Sequence, residues 1–225
     1  MACQAAQAQD VRLLTEDYPP FNFATPNGGV DGISVRVVNE LLAATGIQAT
    51  IVALPWSRAY AAAQADRDTC VFSTTRTAER ESLFQWVGPL VSNDWYAFAL
   101  PDHGLEVESL DDLRGLRVGG YRDDAVAVYV ESQGIAVDPA PNDRLNARKL
   151  AAGRIDVWVS GEFLAPYYAQ QEGIGSLEPL FRFKSTEMAI ACHPEFDSDR
   201  IERLQEALDG LRASGRYDEI LAEFL

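Results

Sequence analysis

Few side chains in this sequence can do chemistry, and their types narrow what that chemistry is. Histidine occurs only at His103 and His193, and cysteine only at Cys3, Cys70 and Cys192, with no Cys-x-x-Cys pair. Zinc and dithiol redox sites need such residues clustered at short spacing, so neither fits. Gly-x-Gly-x-x-Gly, phosphate-loop and Gly-x-Ser-x-Gly motifs are all missing, and no cofactor is expected. What remains is cations, aromatic rings and carboxylates. Arg80 sits between Glu79 and Glu81. Its planar guanidinium can form two parallel charge-assisted hydrogen bonds to a ligand carboxylate, or it can pair with those glutamates. Arg76 either adds a second cation or points outward. Trp56, in a Pro-Trp loop, offers a flat ring to a ligand or plugs the core. Glu16, ahead of Pro19-Pro20, either accepts hydrogen bonds from a ligand amine or hydroxyl or sits solvated.

The charge balance says what these groups can meet. Acidic residues outnumber basic ones 34 to 19, for a net charge of -15. Such a surface repels phosphate backbones and anionic lipids, so no nucleic-acid partner is expected. An anionic ligand can be held only by a locally placed cation. Apolar residues make up 47% and charged residues 24% of the 225, ordinary for a protein with a real core. No apolar run approaches the roughly 18 residues that span a bilayer. Residues 1–10 read as a disordered stub left by signal-peptide removal, with Ala6-Gln7-Ala8 fitting a small-x-small cleavage site.

The elements that position these residues follow a β-α-β rhythm. Val11–Thr15 is a short apolar run of the parallel-strand kind. Ser34 can cap a helix carrying Val35, Val38 and Leu42, stopped by Gly46. Ala49–Leu54 and Thr69–Thr74 read as strands flanking a helix over Ser57–Ala65. A second cycle follows: strand Arg117–Tyr121, helices Ala125–Ser132 and Arg144–Ala152, strand Ile155–Ser160 and helix Glu162–Glu172. An extended Glu187–His193 and two helices split at Gly215 end the chain. Two such cycles imply an α/β chain of two lobes, each a mostly parallel sheet flanked by helices, with Trp95–Leu100 and Thr186–Ala191 as the extended crossings. Lobe 1 is expected over 11–96 plus 190–225 and lobe 2 over 97–189. Strand ends and helix N-termini would face a cleft between them.

Five segments then carry a family resemblance: Tyr18-Pro19-Pro20-Phe21, Gly32-Ile33-Ser34-Val35, Thr77-Ala78-Glu79-Arg80 ahead of Phe84-Gln85-Trp86, Leu110-Asp111-Asp112-Leu113-Arg114-Gly115, and Leu211–Tyr217. In this order and spacing the chain, from Val11 to Leu225, resembles the type II periplasmic solute-binding proteins of the amino-acid ABC importer class. The resemblance implies that Arg80 grips the ligand carboxylate, with Thr75 beside it. It places Tyr18 and Trp56 as rings sandwiching the ligand, with Phe72 and Ser73 lining the wall. In the second lobe the chain departs from the pattern. Tyr121-Arg122-Asp123-Asp124 replaces a Ser/Thr-Gly-rich turn, and Gly161 falls where the family carries the aspartate that holds the ammonium group. That anchor is missing or rebuilt from Glu162, Asp124 or Glu16, while Tyr121, Arg122 and Trp158 either form a different surface or, for Trp158, simply fill the core. The family fold also brings Cys70 and Cys192 to neighbouring strands, where an oxidising compartment would join them.

The expected function is therefore binding, not catalysis. A periplasmic monomer closes by hinge bending around a small carboxylate-bearing solute and delivers it to an ABC importer permease. Two alternatives stay open: a periplasmic dehydratase of the cyclohexadienyl type on the same fold, and a sensory or accessory binding domain.

Overall fold

The structure, a computed structural model, describes residues 10–225; the N-terminal stub with its proposed cleavage site and Cys3 lies outside them. Contacts divide the chain into two units. The first holds the described residues up to Asp17, Phe21–Leu90 and Met188–Leu225, and the second Tyr18–Pro20 and Val91–Glu187.

The first unit is built on β1 (Val11–Thr15), whose Val11, Leu13 and Leu14 are buried. It is followed by the short pair β2 (Phe23–Ala24) and β3 (Val30–Asp31), then α1 (Ile33–Thr45), β4 (Ala49–Ala53), α2 (Trp56–Ala65), β5 (Thr69–Thr75) and β6 (Gln85–Ser92). After the second unit the chain returns as β12 (Glu187–Cys192), α6 (Ser198–Ala213) and α7 (Arg216–Ala222). The sheet order is β4-β1-β5-β12-β6, with β1 parallel to β4 and β5, and β12 antiparallel to β5. The apolar run of β1 follows from its place between two parallel neighbours, where both faces are covered. β6, whose Pro89 and Gly88 hide its strand character in the sequence, lies at the other edge of the sheet.

Ser34 does not cap α1. The N-cap is Gly32, and Ser34 lies inside the helix, fully buried, its N–H donating to the Phe21 carbonyl at 2.9 Å. Gly32 is required there: its φ is 129°, and a Cβ would sit 2.5 Å from the Phe21 oxygen. Gly46 ends the helix in the left-handed conformation, as its sequence position predicts.

Cys70 and Cys192 are bonded and sit directly opposite each other on β5 and β12. The bridge ties residues 122 apart in sequence and closes a loop containing the whole second unit except Tyr18–Pro20. Replacing both cysteines by alanine should cost about 2–4 kcal/mol, chiefly by freeing the unfolded chain. Denaturant unfolding of the double variant checks this. A midpoint matching that of the oxidised parent would mean the bridge adds nothing.

The second unit comprises β7 (Trp95–Ala99), β8 (Val118–Tyr121), α3 (Ala125–Ser132), β9 (Val137–Ala140), α4 (Asp143–Ala151), β10 (Val157–Gly161), α5 (Leu164–Gln171) and β11 (Glu178–Lys184). Its sheet runs β11-β7-β10-β8-β9. β8, β9 and β10 pair in parallel, whereas β7 is antiparallel to both β10 and β11, so the sheet is mixed. The chain changes unit at Leu90–Val91 and Glu187–Met188, inside β6 and β12, and Trp95–Ala99 is a strand of the second sheet instead of the first crossing. One sheet face, with Trp95, Val118, Val157 and Val159, packs on Val126 and Val130 of α3. Trp158 points the other way, to α4.

Candidate functional site

The pairing of β5 with β12 is interrupted near the C-terminal end of β5. Val71 faces Ala191 and Thr74 faces Ala189, so Phe72 and Ser73 together oppose the single residue Ile190. This bulge places Ser73 at φ 57°, a left-handed conformation costing a non-glycine residue about 1 kcal/mol or more. The left-handed residue interrupts an otherwise extended, fully buried strand. The Ser73 hydroxyl is buried and has no hydrogen-bond partner among the described residues. Phe72 and Thr75 are buried beside it.

Arg80 follows Thr75 across a tight turn, closed by its own N–H donating to the Thr77 carbonyl at 3.1 Å. Its guanidinium donates to the Thr75 carbonyl at 3.3 Å and lies 5.2 Å from the Trp56 ring centre and 5.0 Å from that of Tyr60. Trp56 and Tyr60 are one helical turn apart on α2, 5.2 Å centre to centre, and Tyr60 also touches Phe84 at 5.2 Å. Burial pushes the Tyr60 phenol up, and the Arg80 charge and hydrogen bond offset part of that rise. Among the described residues no carboxylate lies within ion-pair distance of Arg80.

One of its two flanking glutamates is taken elsewhere. Glu81 accepts two hydrogen bonds from Arg76, at 2.7 and 2.5 Å, and these hold its carboxyl below the ordinary range. Arg76 is about half exposed and lies 5.5 Å from the Trp86 ring centre. Glu16 is 6% exposed, which rules out the solvated reading. Its carbonyl accepts from Asn22 at 2.7 Å.

In the second unit, Tyr18 is buried and its hydroxyl accepts from Asn93 at 3.3 Å. Both lie against the end of β10: a Cβ on Gly161 would stand 2.6 Å from Asn93 Oδ1 and 2.7 Å from Tyr18 Oη. The position where the resemblance expects an aspartate therefore has no room for a side chain. Tyr121 ends β8 half-buried, Arg122 is exposed, and Asp124 caps α3 by accepting from the Val126 N–H at 2.7 Å. Trp158 is core, fully buried, with its indole N–H donating to Asp143 at 2.9 Å. Glu162 follows β10 half-buried.

Asp143 opens α4 and is 4% exposed, which sequence reasoning missed because a first-turn aspartate ordinarily faces solvent. Burial first, and then the Asp124 charge, raise its pKa to about 7, against the opposing hydrogen bonds from Asn146 and Trp158. Tyr60 and Asn93 were also missed. The i,i+4 spacing of Tyr60 from Trp56 was a usable signal, whereas nothing near Asn93 in sequence points to Tyr18.

Comparison with known proteins agrees with this architecture. A family model described as bacterial extracellular solute-binding proteins, family 3, matches residues 11–225. The probable histidine-binding protein of Neisseria gonorrhoeae is 24% identical over 216 residues, 92% of this chain and 80% of that protein. The L-cystine-binding protein TcyJ of Escherichia coli K12 is 25% identical over 146 residues, and the match spans 64% of this chain and 55% of TcyJ. Among solved structures, a histidine kinase sensor domain with similarity to periplasmic binding proteins superposes with a TM-score of 0.89 at 24% identity, covering 96% of each chain. ArtJ of Geobacillus stearothermophilus, an arginine-, lysine-, histidine-binding protein, gives 0.84 at 19% identity, covering 96% of this chain and 95% of its own. With the model match running through both units, the chain belongs to the bacterial extracellular solute-binding proteins, family 3.

Proposed function

We propose that the chain is a periplasmic solute-binding protein that takes a small carboxylate-bearing solute at Arg80 and delivers it to an ABC importer. The observation that carries this reading is the state of Arg80. Its guanidinium is partly buried against two rings and makes no ion pair among the described residues, and of its two flanking glutamates Glu81 is committed to Arg76. A desolvated cation without a counter-charge is costly, and a ligand carboxylate supplies that charge through two parallel hydrogen bonds. Ser73, held in a strained conformation with an unsatisfied hydroxyl, offers a further donor, and Thr75 completes the anion-facing group. Within the first unit, Trp56 and Phe72 contribute ring surface and Glu16 a polar contact.

The names of the relatives, which describe histidine, cystine and arginine binding, support an amino acid or a derivative as the solute. The closed-off Gly161 position supports a ligand whose amino group, if it has one, is held by something other than a side chain at that point. Native mass spectrometry of the freshly purified protein, followed by identification of the released molecule, tests the proposal. A carboxylate-bearing solute is expected, and a ligand lacking any anionic group would overturn it.

A further inference from the structure

The second unit contains a pocket that the carboxylate reading does not use. It measures about 210 Å³ and is lined by Tyr96 and Phe98 of β7, Glu162, Pro166 of α5, and Leu177 and Pro179 around the start of β11. β7 presents Trp95 and Ala97 to the α3 core, so Tyr96 and Phe98 necessarily face the opposite side of the sheet. At an approximate 30 Å³ per water, the pocket has room for roughly seven waters, or one small aromatic amine.

Five of the six lining residues are apolar or aromatic, and the sixth is a carboxylate. Among the described residues Glu162 makes no ion pair and no side-chain hydrogen bond. The nearby cation is already committed: Arg182 pairs with Asp94 at 2.7 Å. Burial first, and then the Asp94 charge, push the Glu162 pKa up, with Arg182 offsetting only part. The local field is therefore negative, and apolar and aromatic side chains line a half-open pocket beside one acidic group that has no ion pair among the described residues. Rings and a carboxylate together recognise an ammonium group carried on an apolar body, and they repel carboxylates.

We propose that this pocket is a second small-molecule site, selective for organic ammonium ions, in which Glu162 supplies the counter-charge and Tyr96 and Phe98 the ring contacts. It is composed wholly of second-unit residues, whereas Arg80, Thr75 and Trp56 belong to the first.

The test uses the full chain and three probes of nearly the same shape: phenethylammonium, phenethyl alcohol and phenylacetate, titrated by ligand-observed NMR at pH 8. Phenethylammonium should bind saturably, the alcohol at least about tenfold more weakly, and phenylacetate not at this site. Glu162→Gln, a near-isosteric change at a half-exposed position, should weaken the amine by about tenfold or more, while Arg80→Ala leaves it unchanged. Chemical-shift changes on labelled Tyr96 and Phe98 report the location independently of the variants. Three results would overturn the proposal: no saturable amine binding, equal binding of amine and alcohol, or retention of the amine by Glu162→Gln. Loss of the amine in Arg80→Ala would instead place it in the first-unit site, and would equally overturn the second one.

Discussion

Arg80→Ala is expected to weaken binding of the carboxylate solute by about 3–6 kcal/mol, two charge-assisted hydrogen bonds at roughly 1.5–3 kcal/mol each. In affinity this is a loss of about two to four orders of magnitude. The fold should survive. Arg80 makes one hydrogen bond to the Thr75 carbonyl and stacks on two rings, and neither sheet runs through its side chain. Arg80→Lys separates charge from shape: the ammonium keeps the attraction but loses the planar fork, so an intermediate loss is expected. Arg76→Ala is the matched control. It removes an exposed, solvent-screened ion pair with Glu81 and should leave solute affinity alone. Calorimetric titration of the four proteins with the solute identified from purification gives the answer. Equal affinities in the parent and Arg80→Ala would remove Arg80 from the site and with it the proposed function.

Asp143→Asn should stabilise the protein at alkaline pH and do nothing at acidic pH. The carboxyl is buried at the start of α4 beside Trp158, and the charge it feels is repulsive, from Asp124. The neighbouring cations are turned away: Arg144 and Arg148 pair with Glu172, the residue that caps the end of α5, and Lys149 with Asp138 of β9. With the folded pKa raised from 3.8 to about 7, the folded chain holds one more proton than the unfolded chain across that interval. Stability from this group is full below about pH 4 and falls by roughly 1.4 kcal/mol per unit as pH rises through the interval. Above about pH 7 the loss is complete, at roughly 4 kcal/mol as an upper figure. Asparagine cannot ionise, yet its amide oxygen still accepts from the Trp158 indole. The difference in unfolding free energy between variant and parent should therefore grow from near zero at pH 4 to a plateau above pH 7. Taking the difference cancels the opposite trend from carboxylates held low by arginine, such as Asp31, Asp156 and Glu172. A flat difference across pH would show that Asp143 is not the titrating group. The indole of Trp158, bonded directly to the carboxyl, should report the same midpoint in its fluorescence or its N–H chemical shift.

The alternation of short apolar runs with helical repeats fixed the α/β class, and most element boundaries follow within two residues. Local rules suffice there: β1 is apolar because both its neighbours are strands, and α1 stops where Gly46 turns left-handed. Thr75, Arg80 and Trp56 came into the candidate group through the family resemblance, and the structure puts Arg80 one turn beyond Thr75 with its guanidinium against Trp56. Local chemistry could not say which arginine would be left without a carboxylate. Glu81 lies next to Arg80 in sequence, yet it pairs with Arg76, because the turn through Thr77 carries the Arg80 side chain toward α2.

Other features exist only once distant strands pair. The Ser73 bulge arises from a register shift against β12, more than a hundred residues away, and β6 escaped notice because a glycine and a proline mask an edge strand. Burial of Asp143 depends on Trp158 closing over the start of α4, and the filled space at Gly161 depends on Tyr18 and Asn93 arriving from remote segments. Backbone periodicity and turn residues are written along the chain, so the sequence alone settled which elements form. Burial, charge pairing and free volume depend on what the other elements place nearby, and only the tertiary structure decided which polar groups are left with work to do.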